Sequence, residues 1–97
     1  MIIRFTPDAD AELAEACEWY AHQRADLDIE FMESIDDALS RVIRNPKQYP
    51  IAYKTLRRAV VRRFPFAVVY EIIANEIQVI AVFHSRRDPE IWKSRVG

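Results

Sequence analysis

Residues 58–84 constrain this chain most, because three runs rich in β-branched and aromatic residues follow one another there with almost nothing between them. The runs cover 58–63, 66–73 and 77–84, and residues of this kind favour strands. Their connections, Phe64-Pro65 and Ala74-Asn75, are too short for a parallel crossover, so they join antiparallel neighbours. Side chains alternate across a strand. Two-residue connections therefore collect Ala59, Val61, Phe66, Val68, Tyr70, Ile72, Ile77, Val79, Ala81 and Phe83 on one face. The other face takes Arg58, Val60, Arg62, Ala67, Val69, Glu71, Gln78, Ile80, Val82 and His84. This register sets Arg58 opposite Glu71 and brings Arg62 near His84. An odd connection at Phe64-Pro65 would instead drive both arginines into the apolar face, where unpaired charge is costly.

The apolar face needs cover, and the N-terminal half supplies it. Ile2-Ile3-Arg4-Phe5 reads as a short strand, and Thr6-Pro7-Asp8 as a helix start with an N-cap hydroxyl, a proline in the first turn and an acid at the positive dipole end. Leu13, Ala16, Cys17 and Tyr20 then recur at helical spacing. A second helical pattern runs through Phe31, Met32, Ile35, Ala38, Leu39, Val42 and Ile43, and Asn45-Pro46 stops it. The brief connection at 24–28 makes the two an antiparallel hairpin, with His22 solvated near the end of the first. Residues 46–56, including Pro46, Tyr49, Pro50, Tyr53 and Lys54, lack periodicity and read as an ordered loop. Asp88-Pro89-Glu90 repeats the helix-start pattern, so 91–95 forms a short helix with Trp92 packed back on the domain. The predicted order is β-α-α-β-β-β-α: an α+β fold in one domain, 1–97, with an antiparallel sheet against an N-terminal helical hairpin.

Composition narrows the function classes. A chain of 97 residues, 51% of them hydrophobic and 30% charged, supports one modest core. No apolar run approaches the roughly 18 residues of a membrane span, and no signal-like segment opens the chain, so a soluble cytoplasmic protein without a membrane partner is expected. Cys17 is the only cysteine, which excludes an internal disulfide or a cysteine zinc cluster; it reads as a small buried residue, with a reactive thiol as the alternative. No metal or cofactor is expected. The net charge of -1 conceals a split, since 1–45 holds four basic residues against eleven acidic ones and 46–97 holds ten against four. Such asymmetry points to a localised anion-binding face, or to acidic helices that offset a basic sheet edge.

The candidate residues gather at the end of the last strand. His84, Arg86 and Arg87, with Arg62 and with Arg63 and Lys54 beside them, could surround a phosphate or a carboxylate. The planar guanidinium fork suits both ligands, and histidine exchanges protons near neutral pH. The plainer alternative is that Arg86 and Arg87 bridge to Asp88 or Glu90 while His84 caps the strand.

The run from Arg57-Arg58 through Arg62-Arg63-Phe64-Pro65-Phe66 to Tyr70-Glu71, followed by Phe83-His84-Ser85-Arg86-Arg87-Asp88-Pro89 and Trp92, resembles the RelE/ParE superfamily of toxins from type II toxin-antitoxin modules. The resemblance extends over nearly the whole chain. It implies a cognate antitoxin as partner, a hetero-oligomer with it, and one of two targets. RelE-like members are ribosome-dependent endoribonucleases acting on mRNA, and ParE-like members act on DNA gyrase. Metal-free RNA cleavage needs a base, an acid and cations around the phosphorane; the resemblance would assign proton transfer to His84 and the phosphate to Arg62 and Arg86 or Arg87. The basic, aromatic tail of the RNA-cleaving members has no counterpart in Lys93-Ser94-Arg95-Val96-Gly97, and a pI near 6.1 is low for a ribosomal cavity. The expectation is therefore a ParE-like toxin whose target-binding surface comprises Lys54, Arg58, Arg62, Arg63, Arg86 and Arg87. The alternatives are a metal-independent endoribonuclease using His84, Arg62 and Arg86, and a non-toxic antitoxin-binding or autoregulatory module.

Overall fold

The computed structural model describes residues 1–96. Its elements are β1 (Ile2–Phe5), α1 (Pro7–Gln23), α2 (Leu27–Arg44), β2 (Ile51–Tyr53), β3 (Leu56–Val60), β4 (Phe66–Ile73), β5 (Glu76–His84) and α3 (Glu90–Lys93). The sheet is five-stranded, ordered β1-β5-β4-β3-β2, with β1 parallel to β5 and every other pair antiparallel. The α+β architecture is the expected one, enlarged by a strand: 51–53, expected within a loop, pairs with β3 as an edge. No helix of the described residues is long and apolar enough to cross a membrane.

Local chemistry sets the helix ends. Thr6 Oγ1 accepts the Ala9 N–H at 3.2 Å, with Pro7 in the first turn and Asp8 and Asp10 near the positive dipole end. The hairpin's apolar sides, Ala16 and Tyr20 from α1 with Phe31, Ile35 and Val42 from α2, pack on Val68, Tyr70, Ile77 and Val79 of the sheet. Burial of this apolar area is the main favourable term. The proline-rich stretch is tied down from the sheet: the Tyr70 hydroxyl donates to the Pro46 carbonyl, and Arg57 donates to the carbonyls of Lys47 and Tyr49. Burial pushes the Tyr70 phenol up to about 12.

The strand register departs from expectation in two places. Val60 lies opposite Ala67 and the Val61 N–H donates to the Phe66 carbonyl, so 62–65 forms a four-residue connection with Arg63 at φ 72° and no cis peptide. The even count keeps the faces as predicted but moves Arg58 from Glu71 to Val69. The second departure inverts them. Tyr70 pairs with Val79 but Val69 pairs with Ala81, which leaves Ile80 as an extra residue on β5, a β-bulge. Beyond it Val82 joins the helix-side core and His84 packs on Phe66, whereas Ala81 and Phe83 turn to the outer face beside Ile80. Expected on the face of Arg58, His84 lies on the other.

The outer face is itself partly covered. Leu56, Ala67, Val69, Ile80, Ala81 and Phe83 pack beneath Trp92 of α3. Arg95 clamps this segment to α1, donating to both Glu12 carboxylate oxygens at 2.9 and 3.0 Å and to the Ile80 carbonyl at 3.0 Å. Pairing of β1 with β5 stops at Val79, and on the open edge beyond it Glu12 Oε1 accepts the Val82 N–H at 3.1 Å.

Candidate functional site

Two concavities flank the end of β5. On the helix side, a groove of about 540 Å³ runs between α1 and the ends of β4 and β5, lined chiefly by Ala16, Trp19, Tyr20, Phe66 and Val82, with Glu12, Glu15, His84 and Arg87 at its margins. Trp19 is 59% exposed, a large apolar side chain left uncovered. The His84 ring stands edge-on to Phe66 at 5.3 Å, and its Nδ1 accepts the Arg86 N–H at 3.1 Å. On the outer face, a cup of about 260 Å³ is lined by Arg58 from β3, Phe83, Ser85 and Arg87 at the end of β5, and Pro89, Trp92 and Lys93 from the C-terminal segment, with Ala52 at its rim. Arg87 borders both.

The predicted residues divide among these places. Arg58 lies in the cup with its guanidinium 5.8 Å from the Phe83 ring, and Arg87 joins it. Arg62 is exposed in the β3–β4 connection, borders neither cavity, and makes no hydrogen bond or ion pair among the described residues. Arg63 is drawn to the helical hairpin by Glu30 at 2.9 Å. A hydrogen bond from Arg24, with the charges of Arg24 and Arg63, holds the Glu30 carboxyl below its usual range. Lys54, at φ 52° between β2 and β3, reaches to 5.3 Å from the Tyr53 ring. Arg86 is exposed in the turn after β5. Arg58 and Arg87 thus meet, whereas Arg62 does not join His84.

Two contributors were not predicted as site residues. Ser85 stood in the motif without a role, and Lys93 was not singled out, although a packed Trp92 carries its neighbour to the same face. The Lys93 ammonium lies 5.2 Å from the Tyr53 ring and 3.6 Å from Glu90. No cluster of histidine, cysteine and acidic side chains suited to a metal occurs among the described residues. Cys17 packs against the helix-side core, and burial pushes its thiol up, away from the reactive thiolate.

The profile of a family described as the ParE toxin of type II toxin-antitoxin systems, parDE, matches residues 3–89. The chain belongs to this family. Among solved structures, a chain of the chromosomal ParDE toxin-antitoxin system from P. aeruginosa superimposes with a TM-score of 0.76 at 18% identity, covering 87% of this chain and 95% of that one. At that identity the likeness establishes the shared fold. No curated protein matches significantly. Within this ParE-family toxin, of the RelE/ParE superfamily, the family match takes in the whole groove and stops at residue 89, so Trp92 and Lys93 of the cup lie beyond it.

Proposed function

We propose that this ParE-family toxin arrests growth by acting on DNA gyrase without cutting nucleic acid, and that a cognate antitoxin holds it inactive. The observation that carries this reading is the bulge at Ile80, which turns His84 to the face opposite Arg58. RNA cleavage needs a base and an acid at the phosphate held by the cations. The cup has three cations and a hydroxyl but no histidine or carboxylate among its lining residues, while His84 stands in the apolar groove with Nδ1 already accepting a hydrogen bond. The cations of the cup are therefore equipped to bind, and poorly equipped to transfer protons.

The groove fits the antitoxin. Its exposed Trp19 and its apolar walls offer pockets for the side chains of a partner segment, beside a stretch of β5 that β1 leaves uncovered and whose Ile80 carbonyl and Val82 N–H are held by Arg95 and Glu12. An apolar partner segment laid in the groove buries this exposed surface. Acidic Glu15 on one margin and Arg87 on the other give such a segment a direction.

Controlled induction tests the target. A DNA-damage response in cells, loss of supercoiling by purified gyrase, and the same arrest from His84→Gln are expected; codon-phased cuts in transcripts that His84→Gln abolishes would establish the endoribonuclease instead. Absence of growth arrest from wild-type protein would favour a non-toxic antitoxin-binding module. Co-expression with a small reading frame found beside the gene, where it encodes the antitoxin, should restore growth and yield a complex that copurifies.

A further inference from the structure

We infer that the outer-face cup is a phosphate-binding site for a nucleic-acid strand, formed by Arg58, Ser85, Arg87 and Lys93 from three separate parts of the fold. The convergence of Arg58, Arg87 and Lys93 on one concavity carries this. Arg4, Arg24, Arg41, Arg63 and Arg95 each pair with a carboxylate at 3.2 Å or less. Arg58 and Arg87, like Arg44, Arg57, Arg62 and Arg86, have no carboxylate partner among the described residues, but of these six only Arg58 and Arg87 line one of the two concavities. Both point into a cavity of about 260 Å³ that no carboxylate lines, together with Lys93. Lys93 has only the exposed Glu90 at 3.6 Å as a counter-charge, so the three cations of the concavity are incompletely neutralised, and an anion entering it relieves their repulsion.

The geometry favours a phosphate over a carboxylate. The donors come from β3, from the turn after β5 and from α3, so they approach from separate directions. A carboxylate presents two oxygens in one plane, whereas a phosphodiester presents four around a centre, with anionic oxygens matched to the guanidinium fork and ester oxygens within reach of a serine hydroxyl. The cup's apolar floor is closed, with Phe83 at 7% and Trp92 at 3% exposure, so a base cannot stack there and recognition stops at the backbone. Binding of this kind is independent of base sequence and sensitive to salt. Trp92 supplies a reporter, since its side chain lines the cup and its buried indole N–H has no acceptor among the described residues.

The inference deepens the gyrase reading and rests on it for its biological setting, because it gives the DNA of a protein–DNA complex a place on the toxin. Its test uses no topoisomerase, so either can fail alone. The intact protein is titrated with a fluorescent ten-nucleotide oligodeoxythymidine, and the Trp92 indole resonance is followed in parallel with pyrophosphate. Expected are saturable binding, a Trp92 shift with both probes, and roughly tenfold weaker oligonucleotide binding in Arg58→Gln and in Lys93→Gln, each with a shallower salt dependence. Arg44→Ala, a matched loss of charge in the helical layer, should bind as wild type does. Absent binding, equal loss in Arg44→Ala, or tighter binding of a poly-glutamate peptide would overturn the site. Near-ultraviolet dichroism of each variant separates loss of the cup from loss of the fold.

Discussion

Arg95→Met should detach the C-terminal segment more than any other single change of a charged side chain. Arg95 is only 18% exposed and Glu12 only 12%, so the pair sits largely out of water. Removal of the guanidinium takes two hydrogen bonds from the Glu12 carboxylate and one from the Ile80 carbonyl, leaving that carbonyl the Thr6 hydroxyl at 3.4 Å. Hydrogen bonds to charged groups contribute about 1.5–3 kcal/mol, and breaking a fully buried pair costs roughly 3–5 kcal/mol. Partial exposure reduces this, so the loss should be about 2–3 kcal/mol, or roughly 10–20 °C in Tm for a domain of this size. Glu12→Gln keeps an oxygen for the Val82 N–H and should cost about half as much. Because the two side chains share one interaction, the double variant should be less destabilised than the sum by about 1–2 kcal/mol. Urea titrations followed by tryptophan fluorescence give all four corners of the cycle. A loss below about 0.5 kcal/mol in Arg95→Met, or strict additivity, would refute the clamp and leave Trp92 packing as the only anchor of α3.

Tyr70→Phe should cost about 1–3 kcal/mol near neutral pH, because the Pro46 carbonyl loses its donor in a part-buried place; chemical denaturation checks it. With the phenol raised from about 10 when unfolded to about 12 when folded, the native state keeps a proton that the unfolded chain releases. That contribution is complete below pH 10 and is lost at up to roughly 1.4 kcal/mol per pH unit as pH rises from 10 to 12, a slope Tyr70→Phe should lack. Trp19→Ala, at a position 59% exposed, should leave stability within about 0.5 kcal/mol yet weaken antitoxin capture by roughly thirtyfold, measured by calorimetry on the purified pair. Unchanged capture would move the partner elsewhere.

What was legible in the chain, and what was not, follows from how each feature marks itself. The caps, the hairpin and the meander carry polar punctuation: Thr6-Pro7, Asn45-Pro46 and the short connections each break a periodic run. The parity of the β3–β4 connection was legible because charge on Arg58 and Arg62 makes one face costly, but its length was not, since two residues and four satisfy parity equally. β2 escaped notice because a three-residue edge strand is too short to show alternation. The bulge left no mark at all. From Val79 to Phe83 every residue is apolar, and the structure buries both faces of this strand, so a slip of one residue changes no polarity along it. His84 is the first side chain to register the slip, which carries its imidazole to the face away from Arg58. Without Ile80 as the extra residue, imidazole and guanidinium would share a face and a proton could move at a bound phosphate. With it, imidazole stands with Trp19 in the apolar groove, the cations stand in the outer-face cup, and among the described residues Arg87 alone lines both. An antitoxin seated in the groove therefore has one side chain through which it can reach the opposite face, and a carboxylate offered to Arg87 from that side would take a cation from the cup.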